Sequence, residues 1–236
     1  MTRRRWIADE VSDNHAAIAG DHADHLIRVL RARVGQEFDV ATGAVVRRGR
    51  ILSINKDRVE FELGEEVSAS PALDLTLLLA VFKFDRMEWA IEKCAELGVS
   101  RMVPVIARRT DAHLASAAAK RAERWRRIAL QAAEQSRRIT PPEIAAPIKL
   151  PDAVTLTAPL RIVLAESEQE TVLRDCLTPH PKGNILLAIG PEGGWTEEEL
   201  ELFQKAGWIS ASLGATILRA ETAAIAATAI TISQLS

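Results

Sequence analysis

The chain has 236 residues, 47% of them hydrophobic, and a formal net charge of −2. That length suits one large domain or a small one beside a medium one, and without a long uncharged apolar run no membrane span is expected. Cys94 and Cys176 stand alone, and the five histidines have no ligand spacing apart from His22 and His25, so neither a disulfide framework nor a metal site is expected.

The first ten residues carry Arg3, Arg4 and Arg5 with no apolar stretch behind them, and no signal peptide is expected there. Asp21 reads as the N-cap of a helix running to about Arg31, with Gly35 soon after its end. Short β-type runs follow at Phe38–Ala41, Val45–Ile54 and Val59–Leu63, separated by turn signals at Thr42-Gly43, Asn55-Lys56-Asp57 and Gly64. Short strands with one helix suggest a small barrel over residues 1–68. Basic residues cluster at Arg3, Arg4 and Arg5, at Arg28, Arg31 and Arg33, and at Arg47, Arg48 and Arg50, a pattern that suits phosphate contacts.

Val67–Pro71 reads as a linker, and residues 72–236 change to alternating buried strands and helices. Leu75–Phe82 is an almost wholly apolar strand. Asp85 and Glu88 have the capping-box offset, Met87, Ile91, Cys94 and Leu97 recur at helical spacing, and Gly98 ends the helix. Met102–Ile106 is the next strand, and a helix of about Ala117 to Arg138 stops at Pro141-Pro142. Trp89, Trp125 and Trp208 read as core or interface anchors. Residues 101–138 carry ten Lys and Arg against three Asp and Glu; residues 150–236 carry five against eleven. A one-signed excess of that kind points to an RNA-facing segment joined to an acidic one.

Later strands are expected at Arg161–Ala165, Ile185–Ile189 and Ile209–Leu213. The second of these stops at Gly190-Pro191-Glu192-Gly193-Gly194, after which Thr196 and Glu199 form a capping box. Trp195, between them, either stacks on a base or closes the loop. The third run leads through Gly214 to a helix beginning near Glu221. Two strand–loop–helix turns put two loops at the carboxyl edge of one sheet, where open α/β sheets bind ligands. Neither the phosphate-cradling G-x-x-x-x-G-K-[ST] nor the dinucleotide G-x-G-x-x-G occurs. Loops of Gly, Pro and backbone amides with one carboxylate suit a neutral or cationic ligand with hydroxyls and a flat apolar part.

The pair I-G-P-E-G-G and L-G-A-T-I-L-R-A-E-T-A resembles the signature of the SPOUT-class RNA methyltransferases, and within them the family that methylates N3 of a uridine in 16S ribosomal RNA. The likeness extends to Phe82–Val99, Arg108-Arg109, Ala132–Arg138 and His25–Arg31, nearly the whole chain. It implies a PUA-like RNA-binding barrel, and an α/β SPOUT domain with a mostly parallel sheet and a C-terminal trefoil knot. The cofactor implied is S-adenosylmethionine, held by Leu164, Ala165, Glu166, Ile189, Gly190, Pro191, Glu192, Gly193 and Gly194, and by Leu213, Gly214, Ile217, Leu218, Thr222 and Ala223. Arg219, the one basic residue among the last thirty, would stabilise an anionic base, and Glu221 would either hold Arg219 or accept the proton. RNA contacts are expected from Arg3, Arg4, Arg5, Arg28, Arg31, Arg33, Lys83, Arg86, Arg108, Arg109, Arg127, Arg137 and Arg138. A cytoplasmic homodimer acting on 16S RNA or the small subunit follows, without membrane or metal; the small and apolar Ala220–Ser236 helix would be buried nearly all round. Another nucleotide, a ribose 2′-OH, or RNA binding without turnover remain the alternatives.

Overall fold

The computed structural model describes residues 5–43, 45–67, 73–136, 138–177 and 183–235. The chain forms two units, Met1–Pro71 with Ala133–Pro141, and Ala72–Ala132 with Pro142–Ser236. Ala133–Pro141 thus groups with the first unit, whereas the sequence reading ran the second without interruption from 72 to 236.

The first unit contains β1 (Arg5–Ile7), β2 (Glu10–Ser12), β3 (His15–Ala19), α1 (Gly20–Asp24), β4 (Glu37–Ala41), β5 (Val46–Asn55) and β6 (Arg58–Val67). They make one curled sheet in the order β1-β4-β5-β6-β3-β2, parallel only at β1–β4. Trp6, Ile18, Leu26, Phe38, Val40, Ile51, Val59 and Phe61 fill its interior. Gly49 permits the curl: a Cβ there would fall 2.5 Å from Val40 Cγ2, beside two register shifts in β5. The sequence reading found β4 to β6 but missed β1 to β3. β2 is wholly exposed and β3 is H-A-A-I-A, so neither shows a clean strand alternation; pairing with neighbours decides them. Asp21 is not the cap of α1. Ala19 holds that position without a side-chain bond, and α1 runs into a π-helical turn at His25–Val29.

The second unit continues with β7 (Leu75–Ala80), α2 (Phe84–Leu97), β8 (Arg101–Ile106), α3 (Ala112–Gln135, its end in the first unit), β9 (Glu143–Ile144), β10 (Ile148–Lys149) and α4 (Leu150–Ala153). It ends with β11 (Leu160–Leu164), α5 (Leu173–Cys176), β12 (Ile185–Ile189), α6 (Glu197–Lys205), β13 (Ile209–Ala211) and α7 (Ala220–Leu235). The sheet order is β10-β8-β7-β12-β11-β13, with β9 on β8 and every pairing parallel. Two apolar clusters use alternate residues of the same strands, Leu75, Leu77 and Leu79 in one and Leu78 and Ala80 in the other. Burial on both faces explains the uninterrupted apolar runs of β7 and β12, and each such Leu contributes about 1.5–3 kcal/mol.

α2 starts at Phe84 behind Lys83, so Asp85 lies inside its first turn and caps nothing. Glu88, the expected partner of that cap, instead receives Arg121 at 3.3 Å and Arg124 at 2.9 Å from α3. Gly98, with φ +115°, ends the helix as expected. α7 is not buried all round: Ala220, Glu221, Ala224, Ala227, Thr228 and Thr231 form a buried stripe, while Ile225, Ile230 and Ile232 stay half-exposed. Its buried hydroxyls are satisfied by the preceding turn, Thr228 donating to Ala224 O at 2.7 Å and Thr231 to Ala227 O at 2.8 Å. α7 packs on α2, α5 and β12, which is consistent with the knot that the resemblance implies.

Candidate functional site

β7, β12, β11 and β13 run parallel and in register, so their following loops share one edge of the sheet. The turn after β12 is built around Trp195. Its indole is buried, donates Nε1–H to Leu164 O at 3.1 Å and meets the Phe203 ring edge-on at 5.1 Å. Of the two roles open to Trp195, closing the loop is the one its contacts serve. A Cβ on Gly190 would lie 3.3 Å from that indole, so any larger residue there would have to push the ring back by a few tenths of an ångström. Gly194 N–H closes the turn on Pro191 O at 2.8 Å with φ +70°.

α6 then starts with both bonds of its capping box. Glu199 does more than cap: its Oε2 accepts from Thr196 N–H at 2.9 Å, and its Oε1 from Arg108 N–H at 2.7 Å. Arg109 donates through Nη1 to the carbonyls of Gly193 and Trp195. The loop after β8 thereby clamps the loop after β12 through a carboxylate and a guanidinium.

These turns, the loop after β13 and the start of α7 enclose a cavity of about 280 Å³. Leu164, Ala165, Glu166, Ile189, Gly190, Pro191, Glu192, Gly193 and Gly194 line it, as do Leu213, Gly214, Ile217, Leu218 and Ala223. Thr222 is exposed and does not. Arg219 and Glu221 lie off the wall, flanking Ala220, which is on it. Lining residues that the sequence reading missed include Arg109, Trp195 and Ser212. Arg109 is among the RNA contacts that the resemblance implies; its bonds to the turn after β12 join residues far apart in sequence, which leave no local pattern.

Glu192 and Glu221 share one cation. Arg86, in the first turn of α2, donates Nη1–H to Glu192 Oε1 at 3.0 Å, and its Nε lies 3.8 Å from Glu221 Oε1. Glu221 is 4% exposed and its Oε2 has no hydrogen-bond partner. Arg219 is exposed, and its carbonyl accepts from Ala223 N–H at 2.8 Å within the first turn of α7.

The remaining basic candidates divide. Lys83, Arg108 and Arg127 are exposed, whereas Arg86 and Arg109 hold the site's own loops. In the first unit Arg31 and Arg33 are exposed and Arg28 pairs with Asp24 at 3.1 Å. Arg5 is half-buried on β1. Arg138 is half-buried too, and burial lowers its guanidinium to about 10. Arg47 is spent on structure, bonding Gly64 O at 2.9 Å and Leu63 O at 3.2 Å. Arg3, Arg4 and Arg137 lie outside the described residues. Among the described residues no group of His, Cys, Asp and Glu could hold a metal, and no helix is long and apolar enough to cross a membrane.

Residues 69–232 match the RNA methyltransferase domain family. The chain is 32% identical over 233 residues to the ribosomal RNA small subunit methyltransferase E of Rickettsia conorii, covering 96% of this chain and 93% of that one. The crystal structure of a ribosomal RNA small subunit methyltransferase E from Neisseria gonorrhoeae bound to S-adenosyl methionine superimposes with a TM-score of 0.88 at 31% identity, over 99% of this chain and 98% of that one. A methyltransferase from Legionella pneumophila in complex with the same cofactor gives 0.87 at 28%, with the same coverage.

Proposed function

This chain belongs to the RNA methyltransferase domain family, and from that premise we propose that it transfers a methyl group from S-adenosylmethionine to N3 of one uridine in 16S ribosomal RNA. The observation that carries the reading is the cavity between the two glycine loops at the carboxyl edge of the sheet. Its chemistry fits the donor. Leu164, Ile189, Leu213 and Leu218 offer apolar surface to a flat ring, and Glu166 and Glu192 offer carboxylates to hydroxyls and a cation. The basic side chain on its wall, Arg109, is bonded to two carbonyls and so is held in place.

The bound donor supplies a methyl carbon already activated by its sulfonium, which leaves positioning, exclusion of water and preparation of the nucleophile to the protein. Uridine N3 attacks poorly while protonated. Arg219 offers the cation for the deprotonated base, and Glu221 is the nearest carboxylate to it along the chain, its Oε2 buried until RNA binding opens a path to it. Lys83, Arg108 and Arg219 belong to loops or helix starts on the edge where the cavity opens, a favourable arrangement for an RNA phosphate backbone.

In the same reading the first unit, domain 1–68 of the sequence, holds RNA through Arg5, Arg28, Arg31 and Arg33, joined by Arg127 and Arg138, while 72–236 carries the chemistry. The half-exposed isoleucines of α7 favour a homodimer, and a ribosomal substrate favours the cytoplasm. Incubating the purified protein with small-subunit RNA and labelled donor, then analysing nucleosides by mass spectrometry, tests the function. One methylated uridine is expected; no methyl incorporation into either naked RNA or assembled subunits would overturn it.

A further inference from the structure

Arg86, Glu192 and Glu221 hold two negative charges against one positive, and they hold them unequally. Arg86 gives Glu192 a hydrogen bond at 3.0 Å but only approaches Glu221, at 3.8 Å. The two carboxylates differ in what they can do without it. The Glu192 side chain is 35% exposed and lies on the cavity wall, so water or a ligand can satisfy it. The Glu221 side chain is 5% exposed and one of its oxygens has no partner, which leaves a buried charge in want of a donor. A guanidinium has five N–H groups and can move between the two without leaving either field.

Resting on the methyl-donor reading of the cavity, we infer that this cluster lets the site tell a sulfonium from a thioether. Glu192 gives up Arg86 when a cation enters the cavity, and Arg86 then closes on the buried Glu221. The demethylated thioether brings no charge. Against it Glu192 keeps Arg86, and the exchange does not occur. The site therefore favours the methyl donor over its own product, and Arg86 carries that preference to a carboxylate that does not touch the cavity. Arg86 acts here as a positioning residue, and Glu192 as the residue that sets specificity.

Calorimetry with S-adenosylmethionine and S-adenosylhomocysteine tests this without any turnover. The wild-type protein is expected to bind the sulfonium about threefold to fivefold more tightly than the thioether, the scale of a partly screened charge pair, and the ratio is expected to narrow with added salt. Glu192→Gln should bring the ratio close to one, whatever it does to the affinity for either ligand alone. Glu166→Gln, at the other carboxylate on the wall, should leave the ratio as it is. Glu221→Gln should lower it from a distance, because Arg86 then stays with Glu192. Equal binding of both ligands by the wild-type protein overturns the inference. So does a ratio that follows Glu166 in place of Glu192, or one that a folded Glu221→Gln leaves unchanged. A wild-type protein that binds neither ligand overturns the proposed function itself, and this inference with it.

Discussion

The buried carboxylate of Glu199 accepts the main-chain N–H of Arg108 at 2.7 Å, tying the first turn of α6 to the loop after β8. Truncation would strand that N–H and remove half of the capping box. Glu199→Ala is expected to cost about 1–3 kcal/mol, a lost cap plus a part-buried donor left unsatisfied. For a chain of this size that is a fall of several degrees in Tm, measurable by circular dichroism. Glu199→Gln keeps an acceptor for Arg108 and should fall less. Equal losses in the two variants would show that the bond to Arg108 does not matter.

Gly214 lines the cavity with φ +115°, and a Cβ built on it meets nothing within 4 Å. The resemblance assigns it to the methyl-donor site, where a side chain would crowd the ligand. The backbone conformation is a second reason for glycine, because a β-branched residue is strained at that φ. Gly214→Val should keep its fold and lose about tenfold or more in affinity for the methyl donor, since relaxing the strain moves the loop. Unchanged affinity by calorimetry would take the loop after β13 out of the binding site.

Local patterns carried most of the second unit. β12 and the Thr196–Glu199 box were legible because an apolar run and a capping offset are written within a few neighbouring residues. The roles of arginines were not. Arg121 and Arg124 belong to the basic excess of residues 101–138, yet Glu88 holds both; Arg86 and Arg109, expected on RNA, also fasten loops. Each partner lies from 33 to 135 positions away along the chain, and charge periodicity says nothing about contacts at that range. The sites of Asp21 and Asp85 failed for a simpler reason. Both helices begin two residues early, so each aspartate helps the helix dipole without capping.

Glu134 gives the first unit a pH dependence. Burial, and then the charge of Asp9, push its carboxyl up to about 7, against an opposing hydrogen bond from Ile7, and His22 Nε2 stands 3.5 Å away. Between about 4.5 and 7 the folded state keeps a proton that the unfolded chain has shed, so stability falls as pH rises through that window and levels off above it. Glu134→Gln removes the titration. It should gain about 1–2 kcal/mol over the wild-type protein between pH 5 and pH 8, with little difference at pH 4. Parallel Tm profiles for the two proteins would contradict the shift.

The atom that receives the methyl separates base chemistry from ribose chemistry, and Arg219 is the residue on which the two differ. A methyl on N3 removes the Watson–Crick donor of uridine, so reverse transcriptase should stop or misincorporate at that position. A 2′-O-methyl leaves the pairing edge intact and is read through at ample nucleotide supply. The two nucleosides have equal mass but fragment differently, because only one carries its methyl on the base. Arg219 is exposed and off the cavity wall, one residue from its lining and two from the unpartnered oxygen of Glu221. A cation there is of most use to an anionic base; a ribose hydroxyl needs a proton acceptor but has less use for that charge. Arg219→Ala should therefore lose about a hundredfold or more in turnover, the scale of one preorganised charge partner, with the methyl donor bound nearly as before because Arg219 does not line its cavity. A methylated ribose in the wild-type product, or full turnover in Arg219→Ala, would show that the base is not activated in this way.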